Sequence, residues 1–355
     1  MKKTLLYLSL AALILSGCAR DPKTGANDSA KRFLDAWIQL NHPEATLTPL
    51  GAYVLEETPG TGTSVASCEE YPYVRVSFTI RSLSGGVSVT TDERLSRQIG
   101  SYEPQGFYGP ATWCRENSGS RMLPAGLEEA LSMLRVGGSR TVVIPGWLMG
   151  TDNQTGLPIL YDTAQDYLDN VSGGTPAIYE IKLEDAFKDI NKWETDSLAR
   201  YITANCPGLA VKDSLKYGFY YQRTAAPSSE KEFAKDTTIY INYIGRRLDG
   251  VVFDTNIADT AKFYGIYSAA RTYKPAAIKW YGTDGKYTDM KMTASGSSQA
   301  TTIIPGFAYA LDRMHPHEAG TALFYSAWGY GDQSSGSAIP AFSPLRFDLQ
   351  IVDKP

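Results

Sequence analysis

The sequence predicts an α+β protein in which one domain plan is used twice. Apolar residues alternate in several segments, which is the pattern of strands with one buried face. A short helix opened by Pro and Gly follows in each half, at Pro124-Ala125-Gly126 and at Pro305-Gly306. These landmarks recur in the same order, with an offset that grows from roughly 165 to roughly 180 residues. A repeat of this size indicates two whole domains.

Length and composition fit this plan. The chain has 355 residues, which is enough for two or three domains. With 43% hydrophobic and 20% charged residues, it has the composition of a globular protein that buries a core. The net charge of −4 at pH 7 provides no basic surface for nucleic acid, so we predict no nucleic-acid partner.

The N-terminus predicts a lipoprotein signal peptide. Lys2-Lys3 precedes the apolar run 5–15, which is too short to span a bilayer. Leu15-Ser16-Gly17-Cys18 resembles a bacterial lipobox, in which the chain is cut before the Cys and the Cys receives acyl chains such as palmitate. We expect a lipid anchor at Cys18 and, because Ala19 rather than Asp follows, the outer membrane of a bacterial cell envelope. The alternative is a plain secretory signal with an incidental Cys.

Local patterns predict where each domain begins. A polar tether rich in Gly, Asp and Lys is followed by a helix at 30–40 and a strand at 51–56. A second helix at 193–204 and a strand at 218–222 repeat this order. The predicted limits are 1–17 for the signal peptide, 18–29 for the tether, 30–188 for the first domain and 189–355 for the second.

Alternation also predicts the central strand of each half. One face of the strand is expected to carry its apolar residues, which are Val74, Val76 and Phe78 in the first half and Ile239, Ile241 and Tyr243 in the second. Alternation alone is compatible with several sheet folds.

The second half contains an ordered set of aromatic, Gly and Asp residues. The set comprises Tyr243-Ile244-Gly245, Val252-Phe253-Asp254, Ile303-Ile304-Pro305-Gly306-Phe307, Trp328-Gly329-Tyr330-Gly331, Ile339-Pro340 and Leu345-Arg346-Phe347. This set resembles the FKBP family of peptidyl-prolyl cis-trans isomerases. The resemblance implies two tandem FKBP-like domains, each a twisted antiparallel sheet wrapped around a short helix and each preceded by a helix. It implies no cofactor and no metal ion.

The resemblance also implies a role for each pocket residue. Phe307 would be the platform under a proline ring, and Asp254 would be the buried carboxylate beside the twisting amide. The Ile304 backbone N–H and the Tyr330 hydroxyl would be donors to the substrate. The implied catalytic residues are Tyr243, Phe253, Asp254, Ile304, Phe307, Tyr330 and Phe347, and the implied substrate-binding residues are Ile303, Ile339 and Phe263.

Prolyl isomerisation explains why such a site is built from aromatic residues. The barrier of ~18–20 kcal/mol arises because twisting the amide breaks its resonance. A twisted amide has less charge separation than a planar one, so a dry apolar cleft favours the transition state over the ground state. Proline-containing unfolded or exported polypeptides are the expected substrates.

An insert between Phe263 and Ile303 departs from the compact family pattern by about thirty residues. Its aromatic residues predict an ordered flap that contacts unfolded chains. These residues are Tyr264, Tyr267, Tyr273, Trp280, Tyr281 and Tyr287. Arg271, also in the insert, is a candidate partner for Asp254.

The first half keeps the fold pattern and loses the pocket residues. The replacements are Phe78 for the wall Tyr, Val89-Thr90 for the Phe-Asp pair, Leu127 for the platform and Met149 for the donor Tyr, while Tyr179 stands near the last wall. We therefore predict a non-catalytic peptide-binding or spacer domain. Its long segments 101–120 and 151–174 either contact a partner or are ordinary loops.

Cysteines and histidines add little chemistry. In an oxidising envelope Cys68 and Cys114 form a possible disulfide, and Cys206 is expected to be a buried thiol. The His315-Pro316-His317 motif is either a metal site or a solvated loop, and we predict no metal.

Two functions are therefore under consideration. The first is a prolyl isomerase that assists the folding of exported envelope proteins, with its activity in the C-terminal domain. The alternative is a non-catalytic peptide-binding chaperone or assembly subunit of an envelope complex, which the degenerate first half favours.

Overall fold

A computed structural model describes residues 25–116, 122–281, 286–294 and 296–355. The predicted signal peptide and the predicted lipidation site Cys18 lie outside these residues. Within the described part of the chain, no helix has both the length and the apolar character needed to cross a bilayer.

Among the described residues, the first domain is built on a seven-stranded antiparallel sheet. Its helices are α1 (Asp28–Asn41), α2 (Glu93–Gln98), α3 (Ala125–Ser132) and α4 (Ala164–Asn170). Its strands are β1 (Thr46–Leu47), β2 (Tyr53–Thr58), β3 (Tyr73–Ser82), β4 (Val87–Thr90), β5 (Ala111–Cys114), β6 (Ser139–Ile144) and β7 (Ala177–Phe187). The strand order is β1-β2-β6-β7-β3-β4, with β5 also paired to β3.

The second domain, in the part that the structure describes, is built on eight strands that form one sheet. Its helices are α5 (Ile190–Asn205), α6 (Ala258–Phe263) and α7 (Pro305–Leu311). Its strands are β8 (Phe219–Ala225), β9 (Thr238–Arg247), β10 (Val252–Thr255), β11 (Ala276–Lys279), β12 (Lys291–Thr293), β13 (Ala300–Thr302), β14 (Ala319–Phe324) and β15 (Leu345–Val352). The strand order is β13-β12-β11-β9-β15-β14-β8, with β10 also paired to β9.

The two sheets share one topology. The order β2-β6-β7-β3 in the first matches β8-β14-β15-β9 in the second, and β4 pairs with β3 as β10 pairs with β9. The predicted α+β architecture, with one domain plan used twice, is therefore confirmed.

The centre of the second domain follows from local sequence. Residues of β9 alternate in burial, so Ile239, Ile241 and Tyr243 face the core as predicted. Pro305 opens α7 at its first turn, where its missing N–H costs no hydrogen bond. Gly306 allows this helix to approach β14, since a Cβ there would lie 2.8 Å from the Phe324 ring. The sheet therefore closes around a helix whose later residues are all buried.

The predicted tether is partly wrong, because its last residues pack on the first domain. Helix α1 begins at Asp28, and Asn27 is only 3% exposed. The Asn27 side-chain amide donates to the carbonyls of Leu168 (2.8 Å) and Val171 (2.7 Å) at the C-terminal end of α4. Terminal helix carbonyls lack intrahelical donors, so this contact satisfies them and holds the start of α1 against the end of α4.

The insert does not form the predicted flap, because its described residues extend the sheet. Strand β11 pairs with β9, and β12 and β13 add two further strands. Trp280 is 4% exposed and packs 5.0 Å from Phe233, while Tyr287 packs 5.4 Å from Tyr309. Trp280, Tyr281 and Tyr287 therefore pack in the core of the second domain, whereas Tyr267 is 46% exposed.

The cysteines have different surroundings. Cys206 is 6% exposed, which confirms the predicted buried position, and burial raises the pKa of its thiol. Burial, with the nearby charge of Glu128, raises the pKa of the Cys68 thiol to about 11. The Cys114 thiol donates to the Glu116 carbonyl at 3.1 Å. The Cys68–Cys114 disulfide stays a prediction.

Candidate active site

A cavity of about 520 Å³ opens in the second domain between the sheet, α7 and the loop that contains Ile339. Nine of the ten pocket residues predicted from the sequence line this cavity. They are Tyr243, Phe253, Asp254, Ile303, Ile304, Phe307, Tyr330, Ile339 and Phe347. The cavity thus brings distant parts of the sequence together. They come from strands β9, β10 and β15, from helix α7 and the residues before it, and from two loops.

Aromatic rings form the apolar part of the site. Phe307 is 4% exposed, and its ring centroid lies 5.8 Å from Tyr243 and 5.0 Å from Phe347, with an interplanar angle of 83° in both pairs. Phe253 contacts Phe347 edge to face at 5.7 Å. Edge-to-face packing fixes the orientation of each ring. The result is an apolar box whose faces stand nearly at right angles.

Gly245 makes room for this box. It lies on β9 two residues after Tyr243, on the same face of the strand. A Cβ at this position would lie 2.6 Å from the Phe253 ring and 3.0 Å from the Phe347 ring. The absence of a side chain therefore allows both rings to lie against the strand.

A polar group borders the aromatic box. The Tyr243 hydroxyl donates to Asp254 Oδ2 at 2.7 Å, and Arg271 Nη1 donates to Asp254 Oδ1 at 2.6 Å. Arg271 Nη2 also donates to the Tyr243 hydroxyl at 3.2 Å. The structure thus supplies Arg271, a candidate in the sequence, as the partner of Asp254.

The protonation of these groups follows from their surroundings. Burial, reinforced by the charge and hydrogen bond of Asp254, raises the pKa of Tyr243, so its hydroxyl is a donor at neutral pH. Burial would lower the pKa of Arg271, but its bonds to Asp254 and Tyr243 outweigh that effect and raise the pKa. Asp254 is thereby held between two protonated donors.

Two predicted donors to a substrate border the same cavity. Burial, with the charge of Asp254, raises the pKa of Tyr330, so this hydroxyl also keeps its proton. Ile304 has extended backbone angles (φ −63°, ψ 147°), the conformation favoured before a proline. The backbone of Ile304 therefore turns into α7 at the edge of the cavity.

Phe263 does not line the cavity, contrary to the prediction. It ends α6, a helix of six residues in which only Ala261 is buried. The Phe263 ring is 81% exposed and contacts Tyr264 at 4.9 Å. The six-residue helix turns this side chain away from the core, which alignment along the sequence does not reveal.

Several residues that line the cavity were not predicted from the sequence. They are Gln105 from the first domain, Met292, Thr301 and Thr302 from the insert, and residues 335–338 from the loop before Ile339. Polar residues in predicted loops carry no pattern that marks them as pocket residues. The described residues of the insert thus form one edge of the cavity.

In the first domain, pairing register identifies the equivalent positions. Ile80 in the first domain is equivalent to Gly245 in the second. Ile80 pairs with Tyr179 and Val89, and Gly245 pairs with Phe347 and Asp254. Tyr179 is therefore equivalent to Phe347, and Val89 to Asp254. The carboxylate is thus replaced by Val89, and the predicted alignment of Val89-Thr90 with the Phe-Asp pair is shifted by one residue.

The other replacements make this region apolar. Phe78 takes the place of Tyr243 without a hydroxyl, and the Trp113 ring packs against it at 5.0 Å. Leu127 stands on α3 directly after Gly126, as Phe307 follows Gly306, and is 8% exposed. The polar group seen in the second domain therefore has no counterpart at these positions.

Comparisons with known proteins agree with the resemblance inferred from the motifs. No family model matches the chain. A macrophage infectivity potentiator of Trypanosoma cruzi is 26% identical over 143 residues, which cover 40% of this chain and 55% of that protein. The chain therefore spans about half the length of this relative. The match confirms the predicted resemblance to FKBP-type peptidyl-prolyl isomerases.

Two solved structures are also similar. The three FKBP domains of wheat FKBP73 are 11% identical, and the match covers 87% of this chain and 98% of that one with a TM-score of 0.26. A peptidyl-prolyl cis-trans isomerase from Pseudomonas syringae pv. tomato is 17% identical, and the match covers 46% of this chain and 94% of that one with a TM-score of 0.29.

Proposed function

We propose that this protein is an FKBP-type peptidyl-prolyl cis-trans isomerase whose active site is the cavity of the second domain. The observation that carries the proposal is the box formed by Phe307, Tyr243 and Phe347 next to the fixed carboxylate of Asp254. An apolar box binds the proline ring, and a polar edge orients the amide that must rotate.

The geometry favours the twisted amide in two ways. The apolar walls suit an amide that has lost charge separation better than a planar one. Asp254 is held by Arg271 and Tyr243 before substrate arrives, so this part of the site needs no reorganisation during rotation. The Tyr330 hydroxyl and the Ile304 N–H hold the flanking peptide groups. The reaction needs no covalent intermediate, since only a torsion changes.

A proline-limited refolding assay with the mature protein tests this proposal. We expect acceleration by the wild type, a decrease of about tenfold or more for Asp254→Ala, and a smaller decrease for Tyr330→Phe. Tyr217→Phe is the matched control, because Tyr217 is 62% exposed and does not line the cavity. A folded wild type that gives no acceleration refutes the isomerase proposal.

The alternative is a peptide-binding chaperone without catalysis. The first domain favours it, because that domain keeps the fold with Val89 and Phe78 in place of the carboxylate and the hydroxyl. This function predicts that the protein suppresses aggregation of an unfolded substrate without proline as well as of one with proline. An isomerase acting alone would accelerate only the proline-limited phase.

We further propose that Cys18 carries a lipid anchor at the outer membrane and that the clients are exported envelope proteins. The Leu15-Ser16-Gly17-Cys18 motif supports this proposal. Metabolic labelling with radioactive palmitate followed by membrane fractionation is the test. The wild type should be labelled and sediment with outer membranes, and Cys18→Ser should lose the label. An unlabelled wild type would contradict the anchor.

A further inference from the structure

One segment of the first domain reaches the cavity of the second. Residues 103–107 lie between α2 and β5, and Gln105 lines the cavity together with Ser337 and Ala338. Gln105 is half-buried, and Gly106 beside it is buried. The segment 101–120, for which the sequence left a partner open, thus contacts the second domain of its own chain through this part.

Arg247 holds this segment in place. It is 4% exposed at the end of β9, on the same strand face as Tyr243. Nη1 donates to the carbonyls of Gln105 (2.9 Å) and Ala338 (2.5 Å), and Nη2 donates to the carbonyl of Gly106 (3.1 Å). Nε and Nη2 also donate to Asp249 Oδ2 at 3.0 and 2.9 Å.

These bonds use all five N–H donors of one buried guanidinium. A buried Arg is stable only when its charge and donors are satisfied, so loss of any partner is costly. The side chain therefore ties three pieces together: the end of β9, the first-domain segment and the loop at the edge of the cavity.

Further contacts join the segment to that loop directly. The Phe107 N–H donates to the Ser337 carbonyl at 3.0 Å, and the Ser337 hydroxyl donates to Glu103 Oε2 at 2.7 Å. The Phe107 ring lies 5.3 Å from the Arg247 guanidinium carbon. On the far side of the loop, Ser335 and Ile339 exchange backbone hydrogen bonds of 2.8 and 3.2 Å. Both ends of segment 103–107 are therefore held by the loop, and Gln105 lies between them.

We propose that segment 103–107 forms one wall of the peptide cleft and that Gln105 is a specificity-determining residue, which hydrogen-bonds the main chain of an extended substrate beyond its proline. The inference rests on the proposed isomerase function. A primary amide supplies both donors and an acceptor, which matches the N–H and C=O groups of any extended peptide without selecting its side chains. The cleft therefore prefers polypeptides that continue past the proline pocket over short peptides.

Arg247 acts as a positioning residue in this arrangement. It binds the main-chain carbonyl of Gln105, so its hydrogen bonds do not occupy the side-chain amide of Gln105. The first domain, whose own pocket residues are replaced, thereby gains a role in the site of the second.

Steady-state isomerase assays on two peptides with one Xaa-Pro bond test the proposal. One peptide has four residues, and the other has about twelve with the proline at its centre. For Gln105→Ala in the full chain we expect the KM of the long peptide to rise about three- to tenfold with kcat unchanged, and both constants for the short peptide to stay within about twofold. Gln98→Ala is the matched control, since Gln98 is exposed at the end of α2.

The outcomes separate this inference from the function on which it rests. Fluorescence anisotropy with the labelled long peptide gives a readout that needs no activity. If the wild type binds and isomerises the peptide and Gln105→Ala does so equally well, Gln105 has no such role and the inference is wrong. If the wild type neither binds nor isomerises either peptide, the proposed function fails and the inference fails with it.

Hydrogen exchange tests the positioning role separately. The Phe107 amide should be protected in the wild type, and Arg247→Lys, which keeps the charge but loses the five-donor fork, should lose most of that protection. The same variant should raise the KM of the long peptide without lowering kcat. An unchanged exchange rate at Phe107 in a folded Arg247→Lys protein would contradict the role of Arg247.

Discussion

Arg271 and Asp254 form an ion pair of 2.6 Å between the insert and β10, directly beside the aromatic box. Their side chains are 40% and 35% exposed, so solvent screens the attraction and the pair contributes about 1 kcal/mol or less to stability. Its main effect is geometric, because Arg271 also contacts the Tyr243 hydroxyl and thus fixes two pocket groups at once.

Replacement of Arg271 by Gln should therefore lower activity more than stability. We expect kcat/KM to fall roughly three- to tenfold, since Asp254 loses a charged donor and gains freedom, while the Tm changes by only a few degrees. Refolding kinetics and thermal unfolding measure the two effects. Arg200→Gln, on the exposed face of α5, is the control. Equal activity of both variants would show that the ion pair is dispensable.

The platform residue allows a second prediction, because the first domain has Leu where the second has Phe. Phe307→Leu should cost about 1.5 kcal/mol or less of the free energy of unfolding, since the volume is nearly kept, and should lower kcat/KM about tenfold by removing the flat face. Phe324→Leu is the control, because Phe324 is fully buried and stacks on Phe347 without lining the cavity. A similar loss of activity in both variants would indicate a general packing effect.

Gly245→Ala should disturb the aromatic box from the side of strand β9. The added methyl would meet the Phe253 ring at 2.6 Å, so the ring must move out of its position against β9. We expect about 1–3 kcal/mol of destabilisation by overpacking and a clear loss of isomerase activity. Gly174→Ala is the control, since its Cβ would find no atom closer than 3.7 Å. Urea unfolding and the refolding assay distinguish the two variants, and wild-type activity in Gly245→Ala would refute the proposed packing.

Glu194 predicts a dependence of stability on pH. This carboxyl is 0% exposed on α5 and accepts bonds from the Ser326 N–H (2.5 Å) and hydroxyl (2.6 Å). Burial raises its pKa to about 7, although the bonds from Ser326 oppose the rise. The native state thus keeps this proton to higher pH than the unfolded chain does.

The sign follows from proton linkage. As pH rises from about 4.5 to about 7, the contribution of Glu194 to the free energy of unfolding should fall by roughly 3 kcal/mol and then stay constant. Urea unfolding at pH 5 and pH 7.5 measures this change. Glu194→Gln should flatten the profile, and Glu44→Gln, at an exposed site, should not. An unaltered profile in Glu194→Gln would contradict the raised pKa.

Strand periodicity and the resemblance to a known family together explain why much of the candidate site was predictable. Side chains alternate between the two faces of a strand, so the sequence placed Tyr243 on the core face of β9. The resemblance of the Phe-Asp, Pro-Gly-Phe and Tyr-Gly motifs to those of the FKBP family then implied nine of the residues that line the cavity. The duplication was also predictable, because each half repeats the same order of strands around one short helix.

The position of Phe263 could not be predicted from the sequence. Its aromatic type suited the box, but the direction of its side chain depends on how a six-residue helix sits on β10, and the ring faces solvent. Residue type alone does not fix orientation where no long periodic pattern exists.

The sequence by itself indicated the two domains through a repeated order of landmarks, and it indicated the aromatic box and the carboxylate of the second domain through motifs that resemble those of the FKBP family. Only the tertiary structure decided that Arg271 faces Asp254 and that Gln105 reaches the cavity. The position of Gln105 could not be predicted because Arg247 binds the main-chain carbonyls of Gln105 and Gly106. Every residue type has such a carbonyl. A contact to the main chain leaves no mark in the sequence of the segment that it holds.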